Sequence, residues 1–162
     1  MDTTKRQWAA GFGLAVLVAW VVPAHAADEV PGPVPAAVTR VLDSDTLEVR
    51  AEVWLGIELT SHVRIRGIDA PELHSDCAAE RAMAEAAKDR LTKLAGDDIR
   101  LVRVAQDKYG GRVDADVINA AGVDLKAAMI SAGLARSYDG GMRADWCTTS
   151  GIAIPPKNSR RT

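Results

Sequence analysis

From Val63 to Glu72 the chain reads Val-Arg-Ile-Arg-Gly-Ile-Asp-Ala-Pro-Glu, a strand running into a stiff turn. Val63 and Ile65 alternate with Arg64 and Arg66, the period-two pattern of a strand with one buried face. Gly67 ends that regularity, and Pro71 drives Ala70 towards an extended conformation. Asp69 and Glu72 are therefore expected on a bend beside the strand end. Cations for a phosphate, set next to carboxylates for a metal or a proton, are what hydrolysis of a phosphodiester requires. The same charges would also serve a salt-bridged surface hairpin, and this segment alone does not separate the two.

The rest of the chain supplies a framework of short strands and two helices. Leu47, Val49, Ala51 and Val53 alternate with Glu48, Arg50 and Glu52, a half-buried strand that Gly56 breaks and Leu59–Arg66 answers. From Ala78 to Leu94 the period becomes helical, with Met83, Ala87, Leu91 and Leu94 on one face and Ser75 or Asp76 available as a cap. Asp98–Val104 and Val113–Val117 give two further strands. Asp124 is placed to cap a short helix that Gly133 stops. Three strands, a helix, two strands and a helix are compatible with a partly open Greek-key barrel. The pattern does not fix the strand order. Beyond Trp8 and Trp20 near the start, the aromatics other than Phe12 are Trp54, Tyr109, Tyr138 and Trp146, so the core is expected to be aliphatic.

Two more segments join the first: Val41-Leu-Asp-Ser-Asp-Thr-Leu47 upstream and Asp107-Lys-Tyr-Gly-Gly-Arg112 downstream. Together the three resemble the staphylococcal nuclease (thermonuclease-like) family. Its recurring blocks are an Asp-Gly-Asp-Thr turn, an Arg-x-x-Gly-Ile-Asp-x-Pro-Glu turn and an Asp-Lys-Tyr-Gly-Arg turn. The likeness continues through Asp124-Leu125, Gly133-Leu-Ala-Arg136 and Trp146-Cys147, covering roughly residues 36 to 147. It implies a mainly β fold with α, an OB-fold five-stranded barrel with two to three packed helices.

The resemblance also implies site residues. Asp45 and Asp69 would hold Ca²⁺, with the carbonyl of Ala70 as a further ligand; hard oxygen donors and an irregular shell suit that ion. Glu72 would orient or deprotonate the attacking water. Arg64 would clamp the phosphate through its guanidinium fork. The second clamp is less direct, because Gly111 stands in the slot of the family's arginine and Arg112 follows it. A bulge at the glycine pair would let Arg112 reach that place, and Arg66 is the competing supplier. Lys108 and Tyr109, with Tyr138, fit a substrate-holding role through an ammonium and stacking rings. Asp43 reads as a turn-former, Ser44 replaces the usual glycine, and His62 and His74 read as surface residues. Asp43-Ser-Asp45 does not open an EF-hand, since Trp54 stands where its bidentate glutamate belongs.

The first 26 residues read as an export signal. Lys5 and Arg6 precede an uncharged, mostly apolar run from Trp8 to Val22, and Ala24-His-Ala26 supplies a cleavage site. The run is short against the roughly 20 residues of a bilayer span. Pro31-Gly-Pro-Val-Pro35 reads as an extended lead-in within residues 27–35, and residues 148–162 as a tail. The full chain carries 20 basic and 22 acidic residues. Without Asp2, Lys5 and Arg6 the remainder has a formal charge of about −3, which argues against holding nucleic acid by bulk positive charge but not against gripping one or two phosphates locally. In an exported chain the two cysteines, Cys77 and Cys147, read as one disulfide. Its long loop would contribute roughly 4 kcal/mol through chain entropy.

The resulting expectation is a periplasmic or secreted, monomeric, Ca²⁺-dependent nuclease acting on DNA or RNA and leaving 3′-phosphates. No obligate protein partner is implied, and the membrane is met only through the signal. The alternative is a non-catalytic OB-fold module of the cell envelope that binds nucleic acid or a protein.

Overall fold

The computed structural model describes residues 29–147. The expected signal and tail lie outside that range. In chain order the elements are β1 (Glu29–Val30), β2 (Val34–Val41), β3 (Thr46–Trp54), β4 (Ile57–Ile65), β5 (Ile68–Asp69), α1 (Ala78–Ala95), β6 (Asp98–Gln106), β7 (Arg112–Asn119), α2 (Leu125–Ser131) and β8 (Arg136–Ser137).

Five strands close into a barrel in the order β6–β2–β3–β4–β7, with β7 returning to β6. All pairings around the barrel are antiparallel except β4 with β7, where Arg64 lies opposite Asp114. This is the OB-fold barrel with two helices. The alternation in the sequence becomes burial: Leu47, Val49, Val63, Ile65, Ala115 and Val117 are sealed inside. Ala87 and Leu91 of α1 and Leu125 and Met129 of α2 complete the same aliphatic core. Truncating one of these large side chains to alanine typically costs about 2–5 kcal/mol.

Helix ends follow local chemistry. Asp124 caps α2 by accepting from the Ala127 amide, as expected. At the other end Gly133, with φ of 68°, lets the amide of Leu134 reach Met129 O while its own reaches Ile130 O, a Schellman closure. At α1 the reading differs. Cys77 is the N-cap and makes no side-chain cap bond. Ser75 instead accepts from the Cys77 amide and donates to Glu80 at 2.6 Å, so it braces the loop rather than the helix.

Two further expectations need correction. The proline-rich lead-in is not outside the fold: β1 pairs with Val104 and Ala105, Pro31 O accepts from the Arg103 amide, and β2 begins at Val34. Pro35, the second residue of β2, lies opposite Arg100 of β6 and just before the pairing with β3 begins at Ala36, so β3 asks no amide of it. Val53 is half exposed rather than buried, because the β3–β4 hairpin runs past the barrel. A register irregularity between Glu52 and Trp54 accompanies its exit.

Candidate active site

Two acidic turns meet at one end of the barrel. In the first, the amides of Leu42 and Asp43 both donate to Thr46 O, and Asp43 Oδ1 accepts from the Ser44 amide at 2.7 Å. Asp43 is thus the turn-former. Ser44 adopts no positive φ and is only 1 % exposed. Its hydroxyl donates to Pro71 O at 2.7 Å and so ties the first turn to the second, a link glycine could not make.

Arg64, on β4, is 8 % exposed. Its Nη2 donates to Ile68 O at 2.9 Å and lies 3.1 Å from Asp45 Oδ2. A guanidinium held by a carbonyl and a carboxylate is fixed in direction before any ligand arrives, which is the condition for strong electrostatic stabilisation. Asp45 is held in turn by the Thr46 hydroxyl at 2.7 Å.

Asp69 lies on β5, which pairs with β8 opposite Arg136, and it is 3 % exposed. Its Oδ2 accepts from the indole N–H of Trp146 at 3.0 Å, and its Oδ1 faces Arg143 Nε at 3.4 Å. The Arg136 guanidinium covers the Trp146 ring at 3.7 Å. Glu72 is half exposed; its amide donates to Glu80 Oε1 and its carboxylate pairs with Arg143 Nη1. Burial works against the charge of Arg143, but Glu72 and Asp69 outweigh it and raise its pKa above the ordinary arginine value.

The segment carrying Arg143 and Trp146 is anchored by the Cys77–Cys147 disulfide, with Cα atoms 6.0 Å apart. The pairing expected from the cysteine count is present. Arg143 and Trp146 are the site neighbours that sequence reasoning did not assign. Their signal was their position just before Cys147, whose partner Cys77 follows the Asp69–Glu72 turn.

The Asp107–Gly111 loop joins β6 to β7. Gly110 and Gly111 both have positive φ, near 67° and 69°, so the additional residue is absorbed in the loop and not as a bulge within a strand. Arg112 opens β7, pairs with Asp107, and stacks 5.1 Å from the Tyr109 ring centroid. Lys108 Nζ also lies over that ring, 4.9 Å from its centroid. Arg66 is engaged elsewhere, with Glu29 at 2.9 Å and Asp114 O.

Two cavities share this end of the molecule. One, of about 480 Å³, is lined by Asp45, Arg64, Ala70, Glu72, Tyr109, Arg112 and Arg143 among others. The other, of about 510 Å³, is lined by Arg64, Arg66, Lys108, Tyr109, Tyr138 and Arg143 among others. Asp69 opens instead towards a third hollow beside Glu72 and Trp146, again next to Arg143. The residues anticipated from sequence therefore gather around Arg64 and Arg143. His62 and His74 stay on the surface.

The carboxylates of Asp45 and Asp69 and the carbonyl of Ala70 are oxygen donors of the kind a hard cation takes, with Asp45 on the Arg64 side of the site and Asp69 on the Arg143 side. Among the described residues, no group of three or more acidic, histidine or cysteine side chains is placed to hold a metal ion.

A small closed barrel bearing arginines and carboxylates over an open polar cavity defines a nuclease-like OB-fold domain. A family model described as staphylococcal nuclease homologue matches residues 62–147, more than half of the chain, and the chain belongs to that family. The match takes in Arg64, the Asp69–Glu72 turn and the Asp107–Arg112 loop; Asp45 lies upstream of it. No curated protein matches the chain.

Proposed function

We propose that this protein is an exported, Ca²⁺-dependent, sugar-non-specific nuclease that cleaves the P–O5′ bond of DNA or RNA and leaves a 3′-phosphate. The observation that carries the reading is Arg64: buried, aimed by Ile68 O and Asp45, and facing the cavity shared with Glu72 and Arg112. Export rests on the N-terminal signal pattern, and the regiochemistry on the family.

Glu72 orients a water and takes its proton as the oxygen attacks phosphorus. Arg64 and Arg112 grip the non-bridging oxygens and stabilise the charge that grows on them in the five-coordinate transition state. The P–O5′ bond breaks, and the departing O5′ acquires a proton. Asp45, Asp69 and the carbonyl of Ala70 would hold Ca²⁺, which supplies Lewis-acid polarisation of a phosphate oxygen. Lys108, Tyr109 and Tyr138 hold the neighbouring phosphate and bases.

The test is incubation of the mature protein with single-stranded DNA and RNA, with Ca²⁺, Mg²⁺ or chelator. Hydrolysis should appear with Ca²⁺ and be weak with Mg²⁺, which demands a tighter octahedron than two carboxylates offer. Binding without hydrolysis in any metal would favour the non-catalytic module. Equal rates in the two metals would overturn the proposed ligand set.

A further inference from the structure

Arg143 has no place in the reading just given, yet it lines all three hollows around the carboxylates. Its Nε faces Asp69, its Nη1 pairs with Glu72, and its guanidinium lies 5.9 Å from the Tyr138 ring. It therefore stands at the divide between the Asp45–Arg64–Glu72 cavity and the Lys108–Tyr109–Tyr138 cavity. A strand of nucleic acid occupying both must pass it.

The segment that delivers Arg143 is fixed at its far end, and at its middle it is an exposed glycine turn held by hydrogen bonds from Tyr138 to Gly141 O and from the Gly141 amide to Asp139. Trp146 is buried on Asp69, and Cys147 is bonded to Cys77. Between these anchors and Tyr138 lie Gly140, with φ of 98°, Gly141, and a fully exposed Met142. The Arg143 side chain itself is 41 % exposed, so it can turn without disturbing the core.

Resting on the nuclease reading, we propose that Arg143 is a further substrate-binding residue that serves the site in two positions. In the free protein it neutralises Asp69 and Glu72 and keeps the two carboxylates together. A divalent cation on Asp69 would confront the guanidinium with like charge, so Arg143 releases Asp69 as the metal binds. It then turns into the adjoining cavity and donates to a substrate phosphate, to which its planar fork is matched. Glu72 is freed in the same movement.

Two constants should consequently move in opposite directions. Without Arg143 the carboxylates lose a competitor, and the substrate loses a cation. For Arg143→Ala, calorimetry without nucleic acid should show Ca²⁺ binding about tenfold tighter than in the wild type. At saturating Ca²⁺, KM for single-stranded DNA should rise about tenfold with kcat changed much less. The salt dependence of KM should become shallower by about 0.7 in log–log slope, the share of one phosphate contact on a single strand. Arg143→Gln, which keeps length and polarity, must shift both constants in the same two directions and covers the case in which the alanine variant does not fold.

A purely structural arginine would weaken Ca²⁺ and substrate binding together, and an incidental surface ion pair would change neither; each result overturns the proposal. If the wild type hydrolyses no nucleic acid, the nuclease reading falls and the proposal with it. Wild-type hydrolysis with unmoved constants in both variants overturns the proposal alone.

Discussion

The two sides of the site are built differently. On the barrel side, Asp45 and Arg64 sit on or next to strands whose neighbours are sealed in the core, and Arg64 is clamped by backbone as well as by charge. On the opposite side, Tyr138 to Cys147 follows β8 as an irregular strap, held by one disulfide, the Trp146 indole, an arginine stacked on that indole and a few hydrogen bonds. The barrel provides direction that costs nothing to maintain at the moment of reaction. The strap provides a cation, Arg143, set against Asp69 and Glu72 on a side chain that is 41 % exposed. On the proposed function, a site assembled from both would be preorganised on one side and adjustable on the other.

Substitutions on the barrel side should therefore damage turnover most. Arg112, at the start of β7, has its guanidinium on Asp107 and the Tyr109 ring, next to the cavity that Arg64 lines. Arg112→Ala should lower kcat by at least about a hundredfold, the scale of removing one transition-state donor. Ca²⁺ affinity should barely change. Arg66→Ala is the control, because Glu29 and Asp114 O already engage that side chain, and most activity should remain. If Arg66→Ala were inactive and Arg112→Ala active, the second clamp would be assigned to the wrong strand.

The strap should answer through stability first. Replacing Cys77 and Cys147 by alanine should lower stability by about 2–5 kcal/mol, read as a fall in denaturant midpoint. Trp146 should become more exposed, which its fluorescence would report against the other tryptophans of the chain. Unchanged midpoint and fluorescence would mean that the indole on Asp69 holds the strap by itself.

The same contrast explains what could be read from the chain. The strands were legible because burial writes a period: Leu47, Val49, Val63 and Ile65 alternate with polar residues, and a one-residue slip would turn them outward; their closure into a barrel came only from the family resemblance. The turns were legible because Gly67, Pro71 and the Asp43–Thr46 run each impose a local geometry. The closure of β4 on β7 was not, since a parallel pairing between strands far apart in sequence leaves no local mark. Val53 misled because alternation predicts a face and not how far the barrel extends. Arg143 was invisible for a further reason: its position depends on a disulfide across the molecule and on glycines before it, and no periodicity records either.

The smallest effect expected lies where the two arginine-bearing strands meet. Asp114 is opposite Arg64 across the β4–β7 pairing, and its Oδ1 is buried without a hydrogen-bond partner. Burial raises its pKa above the ordinary carboxylate value, and Asp107 adds to the rise, against the pull of Arg64, Arg66 and Arg112. The folded protein therefore holds this proton more tightly than the unfolded chain does. Between the unfolded value and the raised folded value the native state binds more protons, so stability falls as pH rises through that window. Asp114→Asn, which cannot ionise, should melt slightly higher than the wild type at neutral pH. The advantage should fade as pH drops through the folded pKa and be gone below the ordinary carboxylate range, where the wild-type side chain is protonated in both states. A gain that persisted in acid would belong to packing and not to the charge. A loss at neutral pH would mean that the attraction of the three arginines outweighs burial, and that Asp114 helps to hold Arg64 in place.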